Sequence, residues 1–249
     1  MQIYLSTVAM EKNRWGSKIP SFAVSDYAAR AVNDGFAGLE LWENHLLAAP
    51  ADEQKRLYDC GAPMIYNTYL RFSEGVTDRM RRVAEAIARL HAKAVKFNLD
   101  RAETPLAQQL DALRAFSELL PPDVRLLSEC HPNTPMEAPE AAADILSRLP
   151  AARFGAIVHL APVKGDNARR FALYGERIVH LHSQLRSPGS DQRTRLDEQP
   201  GVARDLLCAL TAWGFHGSVS VEFTREGDTV EQTYQYCLAD LSFIKEAIA

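Results

Sequence analysis

LTAWGFHGSVSVEF, residues Leu210–Phe223, carries a helix end and a strand in one short stretch. Leu210 and Trp213 close an apolar stripe that runs back through Leu206 and Val202 at spacings of three and four, the pattern of a helix with one covered face. An aromatic–Gly approach, Trp213–Gly217, leads into the run Ser218–Glu222. The Val-Ser-Val core of that run suits a strand covered on both faces, and the run ends in a carboxylate.

The same alternation extends back to the N-terminus. Strand-like runs are expected at Gln2–Val8, Gly38–Trp42, Pro63–Tyr69, Ala94–Asn98, Arg125–Glu129, Phe154–His159, Ile178–His182 and Ser218–Glu222. Between them lie further helical stripes: Val76, Met80, Val83, Ile87 and Leu90; Leu106, Leu110, Leu113 and Phe116; Val230, Tyr234, Cys237, Leu241 and Ile244. Ser25 reads as the N-cap of a helix over Asp26–Asp34 with Gly35 just past its end, and Thr104 as an N-cap followed by proline in the first turn. Eight strand–helix units in 249 residues, about 31 residues each, imply parallel strands with right-handed crossovers. The expected fold is α/β, a single (β/α)8 TIM barrel over residues 1–249. An open doubly wound sheet is the competitor, but no GxGxxG turn follows the first run. Ser183–Pro200 breaks the rhythm as a long polar stretch and is expected to overhang the C-terminal face of the barrel.

Composition sets the remaining bounds. A net charge of −4 and pI near 6.0 give no basic face for a phosphate backbone, so no nucleic-acid partner is expected. No stretch approaches the roughly 18 apolar residues of a membrane span, and no signal segment is recognised, so a soluble protein with no membrane partner is expected. Cys60, Cys130, Cys208 and Cys237 form no CxxC pair; Cys208 and Cys237 read as small buried apolar residues, and a reduced cytoplasmic setting follows.

In parallel barrels the reactive groups come from the C-terminal ends of strands. Four successive runs end in Glu129, His159, His182 and Glu222, expected to face one point. Two carboxylates and two imidazoles suit one divalent metal ion such as manganese, cobalt, zinc or iron, with magnesium less favoured. His180 is expected to turn the other way, toward the helices, bonded to a backbone group. Glu40 pairs with a basic core group or lines the site. Trp42 is either one wall of a sugar-sized pocket or core, and His45 lies at the pocket mouth or on the surface. Asn67, Arg71, Lys96, Asn98 and Arg186 are candidate substrate contacts.

At these residues the chain resembles the xylose-isomerase-like TIM-barrel superfamily of sugar (phosphate) isomerases and epimerases. The resemblance runs through most of the chain and is clearest in GFAGLELW (Gly35–Trp42), LLSECHP (Leu126–Pro132), IVHLHS (Ile178–Ser183) and LTAWGFHGSVSVEF (Leu210–Phe223). It implies one metal held by Glu, Asp, His and Glu at the ends of strands five to eight. Glu129, His182 and Glu222 match. His159 stands where the family has Asp, Pro162 where it has a second histidine, and Leu185 where a His-x-x-Asp pattern places its Asp.

The resemblance implies an isomerase or epimerase acting on a small sugar or polyol by α-proton transfer between Glu129 and Glu222. His131 would orient Glu129 or bond a substrate hydroxyl. The alternatives are a metal-dependent dehydratase of a polyol-type ketone and, given His159 and Leu185, a non-catalytic sugar-binding barrel. Apurinic-site endonuclease chemistry needs more histidine ligands than seven histidines supply. A homo-oligomer is expected by analogy only.

Overall fold

The computed structural model describes residues 1–101, 103–160 and 166–248. Its centre is a closed parallel barrel of eight strands: β1 (Gln2–Ser6), β2 (Gly38–Trp42), β3 (Met64–Asn67), β4 (Ala94–Phe97), β5 (Arg125–Glu129), β6 (Phe154–Leu160), β7 (Ile178–Ser183) and β10 (Ser218–Val221). β10 closes the circle against β1, with Ile3 beside Val219 and Leu5 beside Val221. The expected barrel therefore forms, and the open sheet does not.

Helices α1 (Ser25–Asn33), α2 (Glu43–Leu47), α3 (Ala51–Asp59), α4 (Asp78–Arg89), α5 (Leu106–Leu119), α6 (Pro139–Ser147), α7 (Asp166–Tyr174), α8 (Pro200–Ala212) and α9 (Val230–Ile248) surround it. None is long and apolar enough to cross a membrane among the described residues. Outward strand residues such as Leu39, Leu41, Val95, Leu126, Val158 and Val221 pack against the helices in one continuous core. Each fully buried large aliphatic there contributes about 1.5–3 kcal/mol relative to exposure.

The barrel interior is layered. Tyr4, Ile65, Ala94, Leu127 and Ile157 form an apolar plug toward the N-terminal end. Nearer the C-terminal end, the inward positions are polar: Ser6, Glu40, Asn67, Lys96, Glu129, His180, His182 and Ser220, all buried. Two glycines allow strands to enter this packed cylinder. A Cβ on Gly217 would lie 2.2 Å from the Val179 carbonyl oxygen, and one on Gly38 would lie 2.1 Å from that of Pro63.

Several local expectations shift. β1 ends at Ser6 and the chain turns into a 3-10 turn over Thr7–Met10; β3 stops at Asn67. Ser25 lies inside α1 rather than capping it, because its hydroxyl is drawn to Glu53 at 2.5 Å. Gly35 has the left-handed φ of +104° expected just past a helix end. α5 starts one residue late, with Pro105 at the cap and no bond from Thr104. Thr77 caps α4 by accepting from the Met80 N–H, so Val76 lies outside the helix, and His91 follows its end at φ +51°. In α8 Leu210 is buried and Leu206 and Trp213 pack against the core as expected, while Ala203 and Leu207 are buried in addition and Val202 and Cys208 are exposed. Cys237 is buried as expected.

The polar stretch after β7 is ordered. It folds into a hairpin of β8 (Leu185–Arg186) and β9 (Arg193–Thr194), then a 3-10 turn, Leu196–Glu198, before Pro200 opens α8. Asp240 of α9 anchors the turn by accepting from the Leu196 N–H at 2.7 Å.

Candidate functional site

Glu129 ends β5, His159 and His182 stand next to last in β6 and β7, and Glu222 follows β10 directly. Barrel register pairs His159 with His182 and Ser220 with His182, so Glu222 rises one inward step above the histidine layer. One donor atom from each of the four side chains lies within 4.8 Å of the others. His182 Nδ1 is 3.2 Å from Glu129 Oε1 and 3.2 Å from Glu222 Oε1, and His159 Nε2 is 2.7 Å from Glu129 Oε1.

His180 does not turn toward the helices. Strand side chains alternate with a period of two, so residues two apart share a face, and His180 points into the barrel beneath His182. Its partners are the Ser218 and Ser220 hydroxyls, at 2.7 and 2.9 Å, rather than backbone. Glu40 joins both histidines: its Oε2 lies 3.0 Å from His182 Nε2, 3.3 Å from His180 Nε2, and 2.7 Å from the donating Ser220 hydroxyl.

Three buried carboxylates in one barrel are tolerable only because cations and donors answer them. Lys96 Nζ sits 2.7 Å from Glu129 Oε2, slightly off the hydrogen-bonding direction. Burial alone would push the Glu129 carboxyl up, but Lys96, His159 and His182 outweigh it and hold it well below the usual range. Burial opposes ionisation of Glu40 and Glu222 too, and His182 holds both down. Burial disfavours a charged His182, yet Glu222, Glu40 and Glu129 raise its pKa well above that of free imidazole. Both ring nitrogens of His182 face carboxylates, Nε2 toward Glu40 and Nδ1 toward Glu129 and Glu222. A divalent cation placed where its Nδ1 proton points would meet both carboxylates, and this donor set of carboxylate oxygens and imidazole nitrogen fits manganese, cobalt or zinc.

A cavity of about 350 Å³ opens over the cluster. Asn67, Lys96, Asn98, His131 and Arg186 line it. His131 does not orient Glu129: its Nδ1 bonds the Pro132 carbonyl at 2.8 Å, and its ring stands 6.5 Å from that of His159. Arg186 is exposed and paired with Asp191. Arg71 lines a separate recess with Lys18 and Arg79.

Trp42 and His45 are not brought to the cavity. Trp42 is buried behind Val8 and Phe223, which form the wall instead. His45 is buried in α2 between Thr7 Oγ1 at 2.9 Å and Glu11 Oε2 at 2.8 Å, so it ties the β1 loop to α2. Pro162, set against a family histidine, lies outside the described residues. A hollow of about 900 Å³ opens at the opposite end of the barrel beside Met1, Trp213 and His216, and none of these carboxylates lines it.

Sequence reading missed two residues at the centre. Gln184 is buried between His159, at 2.8 Å from Nδ1, and Glu222, at 3.2 Å from Oε2. It stands two residues past His182, so the same strand period would have found it. Arg193 comes from the hairpin, covers the Phe223 ring at 3.8 Å and bonds Gln184 Oε1; no local signal marks it. Burial pulls its pKa down to about 10.

No family model and no curated protein matches the chain. Solved structures do. A xylose isomerase-like TIM barrel/4-hydroxyphenylpyruvate dioxygenase fusion protein is 18% identical, with a TM-score of 0.68 over 100% of this chain and 43% of its own. The chain thus spans under half of that fusion protein. The 3-keto-D-glucoside 4-epimerase YcjR from E. coli is 15% identical, with a TM-score of 0.64 over 99% of each chain. The IolI protein, solved with a bound zinc atom, is 15% identical, with a TM-score of 0.62 over 100% of this chain and 98% of its own. At such identities the likeness shows the fold alone, a single closed (β/α)8 barrel shared with these proteins.

Proposed function

We propose that the protein is a divalent-metal-dependent isomerase or epimerase of a small sugar or ketose, working by α-proton transfer between Glu222 and Glu129. The observation that carries this reading is the convergence of Glu129, His182 and Glu222 around one point at the base of a cavity of about 350 Å³, a size suited to a small molecule. A bound divalent cation supplies electrophilic polarisation of a carbonyl and stabilises the negative charge that develops on it.

The chain's own residues do the rest. Trp15, Tyr69 and Phe223 give the cavity flat apolar walls, while Asn67, His131 and Arg186 offer hydroxyl partners at its edge. Glu222 is the better proton acceptor, because Glu129 already answers Lys96, His159 and His182 while Glu222 is met by His182 and Gln184. Lys96 stands beside Glu129, where its ammonium is placed to stabilise an oxyanion. A reduced cytoplasmic setting accords with four unpaired cysteines. The 3-keto-glucoside epimerase and the zinc-bearing IolI protein support the choice of substrate class and metal.

The test is elemental analysis of the purified protein, followed by a panel of ketoses, 3-keto sugars and inososes in deuterated water. Metal-dependent deuterium uptake at the carbon next to a carbonyl is expected, and Glu222→Gln should lose it. A product absorbing like an enone would identify a dehydratase. Saturable sugar binding with no exchange on any substrate would leave a binding barrel and sink the proposal.

A further inference from the structure

The side-chain amide of Gln184 is gripped at both ends. Arg193 Nη1 donates to its Oε1. Its amide nitrogen lies 3.2 Å from Glu222 Oε2 and 2.8 Å from His159 Nδ1. A guanidinium only donates and an ionised carboxylate only accepts. Both neighbours therefore impose the same orientation, oxygen toward Arg193 and NH2 toward Glu222 and His159, and the flip usually open to an amide is closed. The NH2 group has two hydrogens, one for each acceptor. His159 Nδ1 must then present a lone pair, which puts the proton of the neutral ring on Nε2, where it donates to Glu129 Oε1 at 2.7 Å.

His182 has the opposite polarity. The Glu40 carboxylate behind it accepts from Nε2 at 3.0 Å, so Nδ1 is the nitrogen free to give a lone pair to a cation. A carboxylate or carbonyl behind the ring is the usual support of a ligating histidine. A donor behind the ring does the reverse, because it leaves an N–H on the side facing the site, and an N–H cannot ligate.

We propose that Gln184 and Arg193 are positioning residues that hold His159 out of the cation's coordination shell and keep it as an Nε2–H donor facing Glu129 and the cavity. The His159 side chain is 23% exposed and lines that cavity, so the same N–H is within reach of a substrate oxygen. The ligand part of this inference rests on the function proposed above. The cation is then held by Glu129, His182 Nδ1 and Glu222, and substrate oxygens complete its shell. His159 thus replaces the family's strand-six Asp in position and takes a different role, in place of the four-ligand set that the sequence suggests.

Two measurements test this. Nitrogen-15 NMR of the metal-free, histidine-labelled full chain reads the tautomer directly. The expected result for His159 is a protonated Nε2 and a bare Nδ1. In Gln184→Glu, an acceptor-only group of the same length stands behind the ring, and the tautomer should reverse. A wild-type ring protonated at Nδ1, singly or doubly, or a tautomer unmoved in a folded Gln184→Glu, overturns the assignment.

The second measurement is a cobalt(II) titration followed by visible absorption. His159→Ala should bind within about threefold of wild type with an unshifted spectrum, whereas His182→Ala should lose about 100-fold or more. A comparable loss or a shifted band in His159→Ala removes the ligand assignment. If wild type takes up no cobalt while the NMR shows the expected tautomer, the metal-dependent function fails and the role of Gln184 stands.

Discussion

His182 Nε2 lies 3.0 Å from Glu40 Oε2, although 142 residues separate them in the chain. The pair spans the barrel interior from β7 to β2 and fixes which imidazole nitrogen faces Glu129 and Glu222. Such a partner tunes both ring orientation and basicity. Glu40→Gln should weaken metal affinity about 10–100-fold while the fold persists. Isothermal titration of the metal-free protein checks this, and an unchanged affinity would separate Glu40 from the metal site.

Lys96 Nζ lies 2.7 Å from Glu129 Oε2, and both side chains are buried. Lys96→Met leaves a carboxylate in the barrel with less compensation, which should cost about 3–5 kcal/mol. Added manganese or zinc should restore part of that loss, because a cation bound to the native state alone stabilises it by mass action. Urea unfolding of the variant with and without metal gives both numbers. Equal stability of variant and wild type without metal would show that the histidines alone satisfy Glu129.

Acid should unfold the protein through its buried carboxylates. Glu11 is the best-defined case: burial raises its pKa, but His45 and the N–H groups of Ser21 and Asn13 outweigh burial and bring it down to about 2. A carboxylate depressed in the folded state adds stability that is full above its unfolded pKa, about 4.3, and is lost as pH falls toward the folded value. Burial also lowers the pKa of His45, so protonation of that ring opposes folding in the same direction. Denaturant midpoints measured from pH 5 down to about pH 2 should fall steeply in wild type and less steeply in Glu11→Gln. Parallel slopes would remove Glu11 from the account.

Gly217 sits where β10 enters the barrel beside β7. A Cβ there would meet the Val179 carbonyl oxygen at 2.2 Å and the Phe215 ring at 2.7 Å, and the backbone oxygen cannot move aside as a flexible side chain would. Gly217→Ala should cost about 1–3 kcal/mol as overpacking, read as a fall in Tm. Gly201→Ala, with open space around it, is the control and should be near neutral.

Hydrophobic patterning alone determined the eight strands, their parallel connection and the ends on which chemistry would lie. Glu129, His159, His182 and Glu222 were legible because a barrel strand always carries its last inward residue to the same rim. His180 and Gln184 were legible in principle, each two residues from His182, and only the period of the strand had to be applied to them. Local sequence carries no trace of what lies across the barrel. Glu40 behind His182, Lys96 beside Glu129, Arg193 behind Gln184 and Glu11 beside His45 are all long-range meetings. Only tertiary structure decides them, because a buried polar atom takes its partner from whatever the closed barrel brings within hydrogen-bond reach. Those partners, rather than the residue types at the strand ends, set which nitrogen carries a proton and so which side chain is free to hold a cation.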